Sequence, residues 1–295
     1  MRTFSKYFVF PALLFFAMPA SASDDSILRI GGSTTLLPVI SKNATDFMAK
    51  FPMWADADAS LPRRKTRIFV SGGGSGSGVR SVIDGTNQIG LASRNIKLKE
   101  RKLLGEHQAI LVGKDAIVIA AHKDGVLAKS VENFSKSHLA KIFSGDAKKA
   151  SDLIRTLPPE TIVLYVRDSG AGSAEMFQKL IMKNLRVARD ALQVSSQGTL
   201  LNRLESNKRA IGYISSGLAF GSKRLKVFAM SGVVPTNRHV ISGEYEFTRP
   251  LLMITKGKGS PLANRFIRYV LSAKGQSVMA KHNYVPVRDL GGEGL

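Results

Sequence analysis

The sequence predicts an α/β fold, and three observations support this prediction. Short apolar runs of strand character alternate along the chain with segments whose apolar residues recur at helical spacing. Three of these strand-like runs end in a loop of small residues that leads into a helical segment. The chain has 295 residues, 44% of them hydrophobic, which is enough for one large or two medium-sized domains with a buried core.

Residues 1–22 are predicted to be a secretory signal peptide and not part of the fold. Arg2 and Lys6 precede an apolar stretch that is too short to cross a bilayer comfortably, and Ala20-Ser21-Ala22 supplies small residues for cleavage. An N-terminal membrane anchor is the alternative. The chain has no cysteine, so neither a disulfide nor a lipid-modified cysteine is available. We therefore expect a soluble periplasmic protein without stable membrane insertion.

The strand and helix signals of the first half follow one another in a regular order. Residues 27–30 predict a strand, and apolar residues then recur at helical spacing as far as Phe51. Residues 67–70 predict a second strand, followed by a glycine-rich run and a short helix over 79–84. Between these units, residues 53–66 resemble an inserted, solvated surface loop whose basic end could dock a partner.

The second half continues the alternation. Residues 110–121 predict a long strand, and residues 161–166 predict another that leads into a helical face beginning near Met176. A late strand over 251–255 precedes a helix over 265–279.

The loops that end the strands are rich in glycine, serine and threonine. Their sequences are GGSTT at 31–35, SGGGSGSG at 71–78 and SGAGS at 169–173. At the start of a helix the first backbone N–H groups have no partner within the helix, and the helix dipole adds positive potential. Each loop taken alone could be a capped turn, but three such loops in one chain favour a shared site for a small oxyanion.

Several other chemistries lack the residues that they require. The glycine run is not followed by Gly-Lys-Ser/Thr and does not match G-x-G-x-x-G, and no G-x-S-x-G occurs in the chain. The five histidines are far apart and include no H-E-x-x-H pair. We therefore expect no catalytic residues, no metal and no cofactor. A hydrolase of phosphate esters is a weaker hypothesis.

Two arginines stand at the ends of strand-like runs. Arg94 ends IGLASR and Arg167 ends LYVR, and a guanidinium in such a place can present a planar fork to a tetrahedral anion. The alternative for each is an ordinary ion pair, for example between Arg167 and Asp168.

The chain is strongly basic, with a formal net charge of +21. Removal of residues 1–22 takes away two basic residues and leaves 41 basic against 22 acidic residues, a net charge of +19. Such a field favours encounters with anions. The basic residues are scattered and no nucleic-acid motif occurs, so nucleic acid is not expected as a partner.

Taken in order, these segments resemble the phosphate-binding proteins of bacterial ABC importers, which have the type-2 periplasmic binding fold. The resemblance rests on GGSTTLLPVI, VSGGGSGSGVRSVIDGTNQIGLASRNIK, LAKIFSGD, VRDSGAGSAEMF, AIGYISSGLA and RPLLMITKGKG with the C-terminal segment FIRYVLSAKGQSVMAKHNYVPV. It covers most of the mature chain. Two departures are Arg94, where some relatives have aspartate, and Ala171, where serine is common.

The resemblance implies two lobes, each a mixed sheet flanked by helices, with a ligand cleft between them. Lobe one would comprise residues 23–114 and 246–295, and lobe two residues 115–245. Carried over by motif, the phosphate-binding residues would be Ser33, Thr34, Thr35, Leu36, Ser75, Gly76, Ser77, Ser93, Arg94, Arg167, Ala171, Gly172 and Ser173.

The function implied by the resemblance is capture of inorganic phosphate by a non-catalytic, monomeric binding protein that delivers it to an ABC transporter permease. Two alternatives remain open at this point. The ligand could be another tetrahedral oxyanion such as sulfate, or the fold could serve as an envelope sensor or adhesin for polyanions. Because Arg94 replaces the aspartate of some relatives, selectivity for phosphate over sulfate cannot depend on a carboxylate at that position.

Overall fold

The computed structural model describes residues 26–291, so the predicted signal peptide lies outside the described residues. Within them the larger strands and helices predicted from the sequence are present. The strands are β1 (Ile27–Gly32), β2 (Arg67–Gly72), β3 (Ile89–Ala92), β4 (His107–His122), β5 (Asn133–Phe134), β6 (Val163–Arg167), β7 (Leu192–Val194), β8 (Ala210–Ser215), β9 (Leu225–Val227), β10 (Ala229–Met230), β11 (Thr248–Lys256) and β12 (Val285–Pro286).

The helices pack on the faces of the sheet formed by most of these strands. They are α1 (Leu37–Lys50), α2 (Trp54–Ala57), α3 (Ser75–Ile83), α4 (Leu98–Leu104), α5 (Val126–Ser130), α6 (Lys136–Ser144), α7 (Ala150–Leu153), α8 (Gly172–Phe177), α9 (Gln197–Ser206), α10 (Ser216–Gly221), α11 (Asn237–Ser242), α12 (Pro261–Leu271) and α13 (Ala273–Lys281). A π-helix (Gln178–Met182) continues α8, and a 3₁₀-helix (Val287–Leu290) follows β12. No helix among residues 26–291 is long and apolar enough to cross a membrane.

The sheet has parallel strands at both ends and antiparallel strands in its middle. Its order is β2-β1-β3-β11-β4-β8-β6-β7, with β9 and β12 also paired to β4. Strand β1 is parallel to both β2 and β3, and β6 is parallel to both β7 and β8. Parallel neighbours present their carboxyl ends at one edge, so each group of three collects its following loops in one place.

Strand β4 joins the two groups. Its first part pairs with β11 through residues 107–116, and its last part pairs with β8 through residues 117–121. Two large apolar cores lie on either side of this junction, one reaching Val112 on β4 and the other beginning at Ala116. We call the half with β1–β3 lobe one and the half with β6–β8 lobe two. The α/β two-lobe fold class is thus confirmed.

The exact lobe boundaries remain a prediction, although the cores lie close to them. The lobe-two core ends at Phe247 on the return path, apart from Val285, and the lobe-one core resumes at Leu251. The sequence placed this return between residues 245 and 246.

The segment 53–66 differs from the solvated loop expected from its composition. Trp54 is fully buried in the lobe-one core, and its Nε1 donates a 2.7 Å hydrogen bond to the carbonyl of Ser26. Its ring lies 5.6 Å from that of Phe47. Leu61 is also buried, whereas residues 62–65 are exposed. The segment is therefore anchored to the core by the Trp54 side chain, and the polar composition of the segment gives no sign of this.

Two predicted helices have different bounds in the structure. The helix expected over 79–84 begins at Ser75, because Gly74 takes a positive φ and allows the chain to enter the helix directly from the glycine run. The helix expected over 265–279 is divided at Ser272, whose extended backbone and side chain cap a new helix by accepting from the N–H of Gly275.

Candidate functional site

The candidate site lies between the lobes, where the carboxyl ends of the two groups of three parallel strands face each other. The first loop (residues 33–36) follows β1, the second (73–77) follows β2, and Ser93 follows β3. From lobe two, the third loop (168–173) follows β6 and the fourth (195–197) follows β7. We call the space enclosed by these loops the cage.

Three serine hydroxyls from separate loops of lobe one meet in the cage. Ser33 Oγ donates to Ser93 Oγ at 3.0 Å, and Ser75 Oγ lies 3.3 Å from Ser93 Oγ. Ser75 Oγ also accepts from the backbone N–H of Ser93 at 3.0 Å. All three residues are buried. The structure thus brings together predicted site residues that lie up to 60 positions apart in the sequence.

Arg167 of lobe two contacts the first loop of lobe one. Its Nη1 donates to Thr34 Oγ1 at 3.0 Å. Its remaining bonds go to the carbonyls of Val194 and Ser195 and to the Asp168 carboxylate. A guanidinium has five N–H donors and these contacts use four of them, so one Nη1 hydrogen is left for a ligand.

Burial shapes the electrostatics around Arg167. It lowers the pKa of the guanidinium, the nearby Asp168 carboxylate opposes that shift, and the positive charge of Arg249 adds to it. Burial is the largest of these effects, so the net shift of the Arg167 pKa is downward. Burial also raises the pKa of Tyr213 to about 12, so its hydroxyl stays neutral and accepts from the backbone N–H of Arg167 at 3.2 Å. An anion in the cage would be favoured by both guanidinium groups.

Two helices begin at the cage, one from each lobe. Helix α3 starts at Ser75, and the N–H of its second residue, Gly76, donates to the carbonyl of Gly170 across the cleft at 3.2 Å. Helix α8 starts at Gly172 with Ala171 as its N-cap, so the first N–H groups, including that of Ser173, point out of the helix end. Their partial positive charge suits an oxyanion.

The lobes are closed on each other at the cage. The Gly172 backbone packs so tightly that a Cβ there would lie 2.8 Å from Ser75 Oγ and 2.9 Å from the Ser93 carbonyl oxygen. Thr34 Oγ1 accepts from the N–H of Gln197 at 3.2 Å, in addition to its bond from Arg167. Each of these contacts joins a residue of lobe one to a residue of lobe two.

Arg94 is at the edge of the cage but its guanidinium is turned away toward carboxylates. It forms a two-point pair with Glu100, at 2.7 and 2.8 Å, and its Nε lies 3.1 Å from Glu175 of lobe two. Lys97 binds the other oxygen of Glu175 at 2.9 Å. The contacts of Arg94 are therefore those of an ion pair, which was the alternative considered for it. Glu175 of lobe two is bound across the cleft by Arg94 and Lys97 of lobe one.

The charges of this cluster stabilise one another. Burial lowers the pKa of Arg94, but the carboxylates of Glu100 and Glu175 outweigh burial and the net shift is upward. Burial raises the pKa of Glu100. The hydrogen bonds from Arg94 and from the Lys97 N–H lower it by more, so the net shift is downward. Both Arg94 and Glu100 thus remain ionised at neutral pH.

Two other predicted residues also direct their groups elsewhere. Ser77 is exposed, and its hydroxyl donates to the Gly74 carbonyl at 2.9 Å within the first turn of α3. The Leu36 side chain is fully buried in the lobe-one core, and its N–H donates to the Ser33 carbonyl at 3.2 Å. The turn conformations that open α1 and α3 account for both bonds, and neither is visible in residue spacing.

Three buried polar residues beside the cage were not predicted from the sequence. Gln197 is fully buried at the start of α9, where its Nε2 donates to Ser173 Oγ at 3.2 Å. Asp115 on β4 and Arg249 on β11 form a buried ion pair of 2.7 Å. The carboxylate of Asp115, next to Lys114 in the otherwise apolar strand LVGKDAIVIA, was a usable signal, because a buried carboxylate needs a partner.

The described residues offer no evident metal centre. Among residues 26–291, no group of three or more histidine, aspartate or glutamate side chains is arranged to hold a metal ion. What the cage assembles is a set of donors, namely hydroxyl, backbone N–H and guanidinium groups, in a buried setting where such hydrogen bonds are strong. This arrangement can bind an anion without a metal ligand set.

Comparison with known proteins agrees with this architecture. The PBP superfamily domain matches residues 18–274. The phosphate-binding protein PstS of Bacillus subtilis is 30% identical over 267 residues, which is 89% of this chain and 81% of that protein.

Solved structures show the same fold. A phosphate ABC transporter substrate-binding protein from Clostridium perfringens, solved with bound phosphate, superposes with a TM-score of 0.76 and 24% identity over 88% of this chain and 99% of its own. An ABC-type phosphate transport receptor from Vibrio cholerae gives a TM-score of 0.67 at 20% identity, again over 88% and 99%. By its domain match and by its identity to the Bacillus protein, the chain belongs to the PBP superfamily and to the PstS family of phosphate-binding proteins within it.

Proposed function

We propose that this chain is a non-catalytic solute-binding protein that holds inorganic phosphate between its lobes and delivers it to an ABC transporter permease. The observation that supports this best is the convergence of Arg167, the three serine hydroxyls and two helix N-termini in one buried cage. Arg167 and the helix N–H groups are donors, the linked serine hydroxyls leave a hydroxyl hydrogen for a ligand, and a phosphate dianion is an acceptor through most of its surface. The names of the relatives point to the same ligand.

The split of the donors between lobes suggests how binding and closure are linked. Ser33, Ser75 and Ser93 belong to lobe one, whereas Arg167 and the α8 N-terminus belong to lobe two. Only the closed arrangement lets one anion contact both sets, so phosphate favours closure by its higher affinity for that state. A closed, loaded protein is the form that we propose to be recognised by a permease.

We also propose a periplasmic location, for which the predicted signal peptide of residues 1–22 and the family membership are the grounds. The net charge of +19 calculated for residues 23–295 would speed the encounter with a small anion, since long-range attraction raises association rates. This contribution should fall as salt is added.

Calorimetric titration tests the proposed function directly. Phosphate is expected to bind with a Kd below about 100 μM, which corresponds to about −5.5 kcal/mol. Sulfate is titrated in parallel, because it has the same shape and charge but no proton at neutral pH. Binding of sulfate alone would replace phosphate as the ligand, and binding of neither anion would refute the proposal.

The Glu175 bridge yields a prediction about ligand release. Glu175→Gln removes the ion pairs to Arg94 and Lys97 across the cleft without removing a predicted donor of the cage. We expect phosphate to dissociate roughly 3- to 10-fold faster, with a smaller change in the association rate. Stopped-flow measurement with a fluorescent label on the cleft rim gives both rates.

The matched control is Asp190→Asn, which removes an ion pair of similar length, 3.1 Å to Lys148, that lies within lobe two. It should leave the rates unchanged. Equal effects of the two substitutions would mean that Glu175 acts through net charge and does not bridge the lobes.

A further inference from the structure

A buried polar network lies directly behind the cage, on the two strands that connect the lobes. Asp115 on β4 and Arg249 on β11 are register partners, and their side chains are almost completely buried. Arg249 Nε and Nη2 both donate to Asp115 Oδ2, at 2.9 and 2.7 Å. One carboxylate oxygen therefore compensates the guanidinium charge, and the other is free for different partners.

The second carboxylate oxygen binds lobe two. Asp115 Oδ1 accepts from Ser215 Oγ at 3.0 Å, from Ser216 Oγ at 2.9 Å and from the Ser216 N–H at 3.1 Å. Ser215 also lies 3.2 Å from the hydroxyl of Tyr284, which donates to the Thr35 carbonyl in the first loop. The network thus reaches from the start of α10 in lobe two to the first loop in lobe one.

Two of the three remaining donors of Arg249 go to hydroxyls of the cage. Nη2 donates to Thr35 Oγ1 at 2.9 Å, and Nη1 donates to Ser93 Oγ at 3.2 Å. Neither bond is needed to neutralise Asp115. A hydroxyl oxygen that accepts from a guanidinium must direct its own hydrogen elsewhere, so these two bonds decide where the Thr35 and Ser93 hydrogens point.

The consequence can be followed from oxygen to oxygen. Ser93 Oγ accepts from Ser33 Oγ and from Arg249, so its hydrogen is directed to Ser75 Oγ, 3.3 Å away. Ser75 Oγ then accepts from both the hydroxyl and the N–H of Ser93, and its own hydrogen is left for the cage. Thr35 Oγ1 likewise accepts from Arg249, so its own hydrogen is also left for a ligand in the cage.

We infer that Arg249 is a positioning residue for the anion site: it orders the hydroxyls of Thr35, Ser93 and Ser75 as donors and ties them through Asp115 to the connecting strands. It need not touch the anion to do so. This inference rests on the proposed function. It adds Arg249 to the anion site, a residue that no sequence motif indicated.

A double-mutant cycle tests the inference. Arg249→Lys keeps a positive charge beside Asp115 but cannot supply the planar fork that reaches two hydroxyls. We expect it to weaken phosphate binding roughly 5- to 20-fold in the wild-type background. In a background carrying Thr35→Val and Ser93→Ala, the same change should cost less than about 2-fold, because the hydroxyls through which it acts are gone.

A purely structural arginine gives a different result. Its replacement would weaken binding by the same factor in both backgrounds, and that additivity would overturn the inference while leaving phosphate binding by the wild-type protein intact. No binding by the wild-type protein would instead overturn the proposed function, and the inference with it. The two failures are therefore distinguishable.

Two further variants make the test robust. Arg265→Lys alters another arginine of lobe one, which donates to the Ala57 carbonyl at 2.9 Å and lies beside the Phe47 and Phe51 rings, and it should leave affinity unchanged in both backgrounds. If Arg249→Lys fails to fold, Arg249→Gln combined with Asp115→Asn removes both buried charges together and leaves neither unpaired. The same background-dependent loss is expected for that pair, and equal losses in the two backgrounds would again refute the inference.

Discussion

Alanine in place of Gly172 is expected to weaken phosphate binding roughly 10- to 100-fold while leaving the unliganded protein at least as stable as wild type. The new Cβ would stand 2.8 Å from Ser75 Oγ, 2.9 Å from the Ser93 carbonyl oxygen and 3.0 Å from Ser93 Oγ. A real Cβ does not approach other atoms so closely. Helix α8 must therefore withdraw from lobe one, which separates the two sets of donors.

The stability of the free protein should move in the opposite direction from its affinity. Gly172 is the first residue of α8, where alanine lowers the conformational entropy of the unfolded chain. The colliding atoms belong to the other lobe, so an open protein avoids the clash. We expect an overpacking cost of about 1–3 kcal/mol that applies only to the closed state. Calorimetric titration and thermal unfolding without phosphate measure the two effects separately.

Gly170→Ala is the matched control in the same loop. The nearest atom to a Cβ at Gly170 is Asp168 Oδ1, at an ordinary contact distance of 3.4 Å, and its carbonyl can still accept from Gly76. Its affinity should stay within about 2-fold of wild type. If both alanines weakened binding equally, loop rigidity and not the space beside Gly172 would be the cause.

The three small-residue loops were predictable because their signal is local. A strand, a turn that only small residues allow, and a helix start all fall within about ten residues of sequence. Ser33, Ser75 and Ser93 were named as site residues by the family resemblance, and the structure explains their contacts, because parallel strands present their carboxyl ends together. The fold class and the identity of the loops could therefore be predicted before the structure was available.

The orientation of the arginines could not be predicted in the same way. Arg94 follows β3 and Arg249 is the second residue of β11, and the direction of each guanidinium is set by partners elsewhere in the chain. Arg249 and Asp115 are 134 positions apart, and Glu175 reaches Arg94 only when the lobes are closed. Residue spacing specifies helices and strands, but pairing across lobes depends on the closed packing of the whole chain.

Trp54 shows the opposite limit, in which local composition was misleading. The segment 53–66 is rich in polar and charged residues and suggests a solvated loop, yet the Trp54 ring lies in the lobe-one core beside Phe47. A single large aromatic residue can contribute more burial than a longer apolar run. Composition averaged over fourteen residues does not reveal such an anchor.

Arg167→Ala should weaken phosphate binding by at least about 100-fold. The guanidinium is buried, with four of its five donors fixed by protein acceptors, so the remaining Nη1 hydrogen is held in position before a ligand arrives. Such preorganised charge costs little entropy on binding. Alanine removes the charge and also the cross-lobe bond to Thr34, leaving that hydroxyl with the weaker N–H donor of Gln197.

Two comparisons separate the contact from the charge. Arg167→Lys restores the charge but not the fork, so it should recover only part of the loss and bind roughly 10-fold more weakly than wild type. Arg80→Ala removes the same unit of charge from an exposed pair with Asp84 on α3, and should change the Kd by less than about 2-fold. Unchanged affinity in Arg167→Ala would remove Arg167 from the site. Equal losses in Arg167→Ala and Arg80→Ala would mean that phosphate is attracted by the overall charge of the protein and is not bound by the Arg167 guanidinium.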